Sequence, residues 1–149
     1  MQTFLTIISG ANVFILGQLV LKLILEPVQE FRNTVADVAM ALFEHESIYA
    51  NPGCVNEEMS KKSSADLRKL ASKLNAQTYL IPYYNLTAKL LKLPLQIDIF
   101  NSVRNLIGIS NGIFSATHYN VSIINIERAN QVRQMLNIDS CLKDDDSKL

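Results

Sequence analysis

Among the side chains that could ligate a metal or act as nucleophiles, this sequence has two histidines and two cysteines. His45 stands between Glu44 and Glu46, an imidazole and two carboxylates of the kind that hold a divalent ion. On a helix, residues one apart point in different directions and cannot converge on one ion. His118 is the other histidine, and the sequence contains no HExxH, no paired CxxC and no DxD pattern. Cys54 and Cys141 are far apart, with no neighbouring histidine to activate a thiol. Two cysteines also cannot build a disulfide framework. GxSxG, Walker A and GxGxxG motifs are missing, and five glycines with no tryptophan argue against a glycine-rich cofactor fold. Gly108 and Gly112 lie four apart in LIGISNGIF, a spacing that lets helices approach closely rather than one that cradles phosphate. The sequence predicts no catalytic residue, no metal and no cofactor. His45 instead falls on an apolar seam, where a hydrogen-bonded core histidine is expected.

The elements that carry these residues follow from composition. The chain has 149 residues, 48% of them hydrophobic and 19% charged, with fourteen basic residues balancing fourteen acidic ones. That is too apolar for a disordered chain and excludes a globally basic nucleic-acid binder. Much of the apolar excess sits in Phe4 to Leu25, where only Thr6, Ser9, Asn12, Gln18 and Lys22 interrupt apolar or glycine positions. At a rise of 1.5 Å per residue this run spans roughly 33 Å, enough for a bilayer core. Lys22 lies near one end, where its stem can snorkel to the headgroups. Met1 to Thr3 carries no basic side chain and no small-x-small cleavage site follows, so the segment reads as an uncleaved anchor rather than a signal peptide. Basic residues lie on the C-terminal flank, at Lys22 and Arg32, so the positive-inside rule places the following domain in the cytoplasm. Reduced cysteines fit that side. The sequons at Asn85 and Asn120 would matter only on a secretory face.

Beyond the anchor the spacing is helical throughout. Val28, Phe31, Val35, Val38, Leu42, His45 and Tyr49 mark one face of a helix to about Ala50, started or kinked by Pro27 and ended by Asn51-Pro52-Gly53. Residues 54–62 read as a polar loop, with Ser63 and Asp66 as a capping box for a helix that buries Leu67, Leu70, Leu74, Gln77 and Ile81. Tyr83 to Leu93 reads as a short apolar helix between Pro82 and Pro94. Ile97, Phe100, Val103, Ile107, Ser110 and Phe114 mark the next inner face. A last helix, Asn120 to Ile138, carries Ile124, Val132, Met135 and Leu136. The expected fold is all-α, an N-terminal transmembrane helix (1–26) continuing into a small helical bundle (27–138), with a frayed acidic tail (139–149).

Charge is unevenly spread. Glu26, Glu30, Asp37, Glu44 and Glu46 precede a stretch holding Lys61, Lys62, Arg68, Lys69, Lys73, Lys89 and Lys92. The acidic and basic helices are expected to pack antiparallel and neutralise each other. Lys62, Lys69 and Lys73 recur at helical spacing and form a candidate face for lipid or partner contact. That face lacks the interleaved arginines and aromatics of a nucleic-acid surface, which argues against direct nucleic-acid binding. Within the anchor, Gly10 and Gly17 share a face, and the amides of Asn12 and Gln18 need partners in hydrocarbon. These four residues are candidates for self-association in the membrane.

The stretch LGQLVLKLILEPVQEFRNTVADVAMALFEHESIYANPG, with LRKLASKLNA, IPYYNLTAKLLKLP and NLIGISN, resembles a family of small bacterial single-pass membrane proteins with a helical cytoplasmic domain. The resemblance covers most of residues 16–112. It is loosely similar to the retron-associated transmembrane effectors of antiphage defence. What that resemblance implies is a toxin-like protein of the inner membrane, held inactive by a reverse transcriptase and its RNA–DNA encoded nearby and released on infection. The expected function is a membrane-anchored effector that perturbs the inner membrane. The alternative is a membrane-tethered helical adaptor that recruits a cytoplasmic partner.

Overall fold

The structure, a computed structural model, describes residues 2–115 and 119–138, with side chains for residues 10, 12–115 and 120–138. His118, Cys141 and the acidic tail lie outside the described residues. Every regular element among the described residues is helical: α1 (Gln2–Val20), a π-helical turn (Leu21–Leu25), α2 (Glu26–Glu44), α3 (Glu46–Tyr49), α4 (Glu57–Leu80), α5 (Tyr84–Leu91), α6 (Gln96–Gly112) and α7 (Tyr119–Met135).

Pro27 stands in the first turn of α2, as expected, and does not break the helical run. The backbone stays right-handed helical from Val20 through Glu26, and the Glu26 N–H donates to the Leu21 carbonyl five residues back. Proline lacks an N–H, and its ring crowds the carbonyl four residues earlier. That carbonyl belongs to Leu23, inside the widened π turn, so the strain is absorbed where one extra residue fits. Residues 12–44 therefore form one uninterrupted 33-residue helix. It is long and apolar enough to cross a membrane, and only 6% of its most apolar stretch is buried inside the protein. Val13, Phe14, Ile15, Leu16, Leu19 and Val20 are all exposed, so this segment is not a core helix of the bundle.

Four long helices run up and down. Lys73 meets Asp37 while Ser63 meets His45, so α4 returns antiparallel along α2. Arg68 on α4 donates to Asn111 near the end of α6, and Gln96 at the start of α6 shares a cleft with Thr78, so α6 turns back again. Asn105 pairs with Gln131, and Gly112 faces Asn125, which makes α7 antiparallel to α6. The short α3 touches α4, α6 and α7 at the end far from α1. The short α5 lies at the near end, where the Tyr84 ring meets Phe31 edge-on at 6.4 Å.

The core confirms the seam on α2 and corrects three other elements. Val28, Phe31, Val38, Leu42, His45 and Tyr49 are buried, and Val35 packs against them. The α4 helix starts at Asn56, whose side chain accepts from the Glu58 N–H at 3.0 Å, so Ser63 is no cap. Asn followed by Glu57 and Glu58 is itself an N-terminal signal, with acids in the first turn. Ser63 lies two turns inside the helix, buried. On α6 the inner face is Ile99, Ser102, Leu106, Ile109 and Ile113, while Ile97, Ile107 and Phe114 are exposed. Ser110 is buried as expected. Apolar residues cover most of the α6 circumference, so periodicity cannot choose among faces. Contact with α4 on one side and α7 on the other does. On α7, Val132 and Leu136 are buried together with Asn125 and Ala129, whereas Ile124 is exposed.

Candidate functional site

The residues of the apolar helix form the first candidate site. A Cβ built on Gly10 or Gly17 meets nothing within 4 Å, so both glycines open onto empty surface. Asn12 and Gln18 are exposed, and among the described residues neither amide has a partner. At about 100° per residue, Gly10 and Gly17 lie within about 20° of each other, and Gln18 is turned about 80–100° away from them. Asn12 falls on the other side, about 140° from Gly17. The polar and small residues thus occupy two sides of the helix rather than one groove.

The charged helices meet as expected from their composition. Lys73 Nζ lies 3.0 Å from Asp37 Oδ2 across the α2–α4 seam. Both side chains are half exposed, so the pair contributes at most about 1 kcal/mol. Lys61 pairs with Glu57 one turn away at 2.7 Å, and this hydrogen-bonded ammonium lowers the Glu57 carboxyl below its usual range. Lys62 and Lys69 are exposed on the same helix. Counted from Leu25 along α2, the level of Asp37 and Lys73 is about 18 Å away, and that of His45 and Lys62 about 30 Å. An anionic headgroup field decays within about 8–10 Å. With the span in a bilayer, a tilt of about 40° toward α4, whose axis lies about 9 Å to the side, still leaves Lys62 about 17 Å from the end of the span. On that placement Lys62 stands beyond the headgroup field. Contact with a protein partner is open to it and to Lys69.

His45 occupies the break between α2 and α3, with φ −96° and ψ 10°, and its ring turns into the bundle. Its Nδ1 lies 3.1 Å from Ser63 Oγ and its Nε2 lies 3.6 Å from Asp66 Oδ2. With the proton on Nε2, Ser63 donates to Nδ1, while Asp66 stands beyond hydrogen-bond distance of Nε2 as an electrostatic neighbour. Serine, histidine and aspartate are the groups of a nucleophile triad. Here Ser63 is 1% exposed in the middle of a helix, so an attacking Oγ would have no path to a substrate. The arrangement acts as a polar clamp joining α2, α3 and α4. Beside it opens a groove of about 270 Å³, lined among others by Asp37, Glu44, Asp66, Lys69 and Lys73. The sequence signal for this cluster was Ser63 and Asp66 three apart, read there as a cap. Among the described residues no three His, Cys, Asp or Glu side chains converge as metal ligands.

A second polar knot joins α7 to α3. Asn125 is fully buried and its Nδ2 donates to the Tyr49 carbonyl at 3.0 Å, while Ser122 donates to the Ala50 carbonyl. Gly112 makes room for the Asn125 amide and Gly108 for the Arg128 guanidinium, so the paired glycines serve helix packing. Tyr49 Oη donates to the Leu42 carbonyl at 3.0 Å, and burial raises its pKa. No family model, curated protein or solved structure matches the chain.

Proposed function

We propose that the protein is a single-pass protein of a bacterial inner membrane, with its bundle on the cytoplasmic side, and that it acts as an effector whose copies associate through the span and perturb the membrane. The observation that carries this reading is the pair of unpartnered amides, Asn12 and Gln18, about 120° apart around an exposed apolar helix. An amide in hydrocarbon costs several kcal/mol unless it is hydrogen-bonded. Nothing among the described residues of this chain supplies the bond, so other spans would. Two such sides favour contact with two neighbours, which builds an assembly larger than a dimer. Gly10 and Gly17 allow close approach on one of those sides. The cytoplasmic side follows from Lys22 and Arg32. Release from an inhibitory partner encoded nearby belongs to the same proposal.

Induced expression with a membrane-potential dye tests it, alongside crosslinking in the same cells. The parent should depolarise cells and give a ladder of crosslinked species. Gly17→Leu and Gln18→Leu both ease insertion, so a loss of depolarisation in them reports lost association rather than failed targeting. Unchanged depolarisation in both would reduce the helix to a tether.

The groove beside His45 favours a second reading, a membrane-tethered adaptor. Its mixed charges and open shape suit a polar segment of another protein. That reading gains if the parent never depolarises cells and Lys69→Glu abolishes recovery of a partner that the parent retains.

A further inference from the structure

The end of the bundle next to the span is apolar and exposed. Tyr83 is 85% exposed, Leu90 78% and Leu86 70%; Tyr79 shares a cleft with Tyr83 and Leu86, and Leu80, Leu95 and Ile97 are exposed at the neighbouring ends of α4 and α6. Soluble surfaces rarely leave such side chains contiguous without a partner. Leu86 and Leu90, one turn apart, form a stripe on α5, while its other face buries Tyr84, Thr87 and Ala88. Lys89 and Lys92 flank the stripe, both exposed. No aspartate or glutamate occurs between Asp66 and Asp98. The composition is that of a short interfacial helix: aliphatic stripe, aromatic edge, lysine flanks and no acid.

The backbone gives an independent sign that these side chains are wanted. Tyr83 and Lys92, which bracket α5, both adopt left-handed conformations, with φ 48° and 53°. Leu93 N–H donates to the Ala88 carbonyl at 2.9 Å, which puts Lys92 at the position of a helix stop where glycine is favoured. Glycine would relax both sites, yet each carries a large exposed side chain instead.

The position of the patch identifies its occupant. Arg32 Nη2 donates to the Leu91 carbonyl at 2.9 Å, and Phe31 meets Tyr84. These residues of α2 lie about 9–10 Å along the helix from Leu25. A headgroup layer is about 5–8 Å deep, and an average tilt of about 20° toward α5 lowers it by about 3 Å. We infer that α5 and its flanking turns rest on the bilayer surface beside the protein's own span, with Tyr83, Leu86 and Leu90 in the interface and Lys89 and Lys92 among anionic headgroups. The inference rests on reading the apolar helix as a membrane span. It gives the bundle a second attachment, which fixes its orientation against the membrane.

The chain has no tryptophan, so single tryptophans in the full-length protein report their own surroundings. Leu86→Trp probes the patch, Leu16→Trp the span and Met59→Trp the far end of α4. Each is reconstituted into phosphatidylcholine–phosphatidylglycerol vesicles with or without brominated acyl chains. Leu86→Trp should emit at shorter wavelength and lose most of its emission to the brominated lipid, while Met59→Trp is unaffected. Lys89→Glu with Lys92→Glu in the Leu86→Trp background should restore much of that emission. Quenching of Leu16→Trp without Leu86→Trp overturns the docking of α5 and leaves the span intact. An unquenched Leu16→Trp overturns the span itself. A blue-shifted but unquenched Leu86→Trp means that protein, such as a second copy, covers the patch, and the inference fails. Equal quenching of Met59→Trp and Leu86→Trp means unspecific adsorption and overturns it as well.

Discussion

The side chain of Asn125 fills the space that a Cβ on Gly112 would occupy. A methyl group there would stand 2.7 Å from Asn125 Nδ2, the atom that donates to the Tyr49 carbonyl. Gly112→Ala would expel the amide and leave a buried donor and a buried carbonyl unpaired. Its destabilisation is expected at about 1–3 kcal/mol, after an offset of about 1 kcal/mol from helix propensity. The thermal midpoint of the purified full-length chain in detergent measures it. Gly108→Ala is the control. It meets only the flexible end of Arg128, 2.9 Å away at Cζ, which can swing aside, so the midpoint should hold or rise with the gain in helix propensity. Equal losses at both positions would mean that the α6–α7 contact is tight everywhere and that Asn125 has no special part.

Ser63 and His45 should behave as structure, not as a reactive pair. Ser63→Ala removes one partner of a buried imidazole and is expected to cost about 1 kcal/mol. A serine-directed fluorophosphonate should leave the folded protein unlabelled, because the hydroxyl is enclosed. Labelling at Ser63 that disappears in His45→Ala would contradict this and make the cluster a nucleophile site.

Tyr84 should be the last tyrosine to ionise among those described. Burial pushes its pKa from 10.0 to about 12, and Tyr49 is raised by the same cause. A group whose folded pKa is raised contributes stability that is whole below the unfolded value. That contribution fades as pH rises through the folded value, so stability should fall between about pH 10 and 12. Tyrosinate absorbance against pH checks the order of ionisation. Tyr84→Phe should flatten the loss of stability across this window, at the expense of the Tyr84 hydrogen bond to the Pro94 carbonyl.

Deleting residues 1–26 should leave a folded bundle. Every described side chain from Gly10 to Val20 is exposed, and the core begins at Val28. The shortened chain should show cooperative unfolding with a midpoint close to that of the full chain. After alkaline carbonate washing, the full chain should stay with the membrane pellet and the shortened one should leave it. Recovery of both in the supernatant would remove the span.

The all-α class, the apolar helix at the start and the seam from Val28 to Tyr49 were legible in the residues alone, because each depends on spacing along a single helix. A continuous run of apolar residues or a repeated three- and four-residue step carries its meaning without a partner. The sequence also marked Gly108 and Gly112 as a packing pair, since only small residues at that spacing let a neighbouring helix come close. Tertiary structure alone decided the rest. On α6, apolar residues ring the helix, and only its place between α4 and α7 chose Ile99 and Leu106 over Ile97 and Ile107. Ser63 looked like a cap because caps and buried clamps use the same hydroxyl chemistry. Its true partner, His45, is 18 residues away and meets it only when α4 folds back along α2. The same fold carries Lys62 far from the start of α2 and brings Leu86, Lys89 and Leu90 near it. Which charges and which apolar side chains stand next to the apolar helix is a matter of chain direction, and one-dimensional spacing does not hold it.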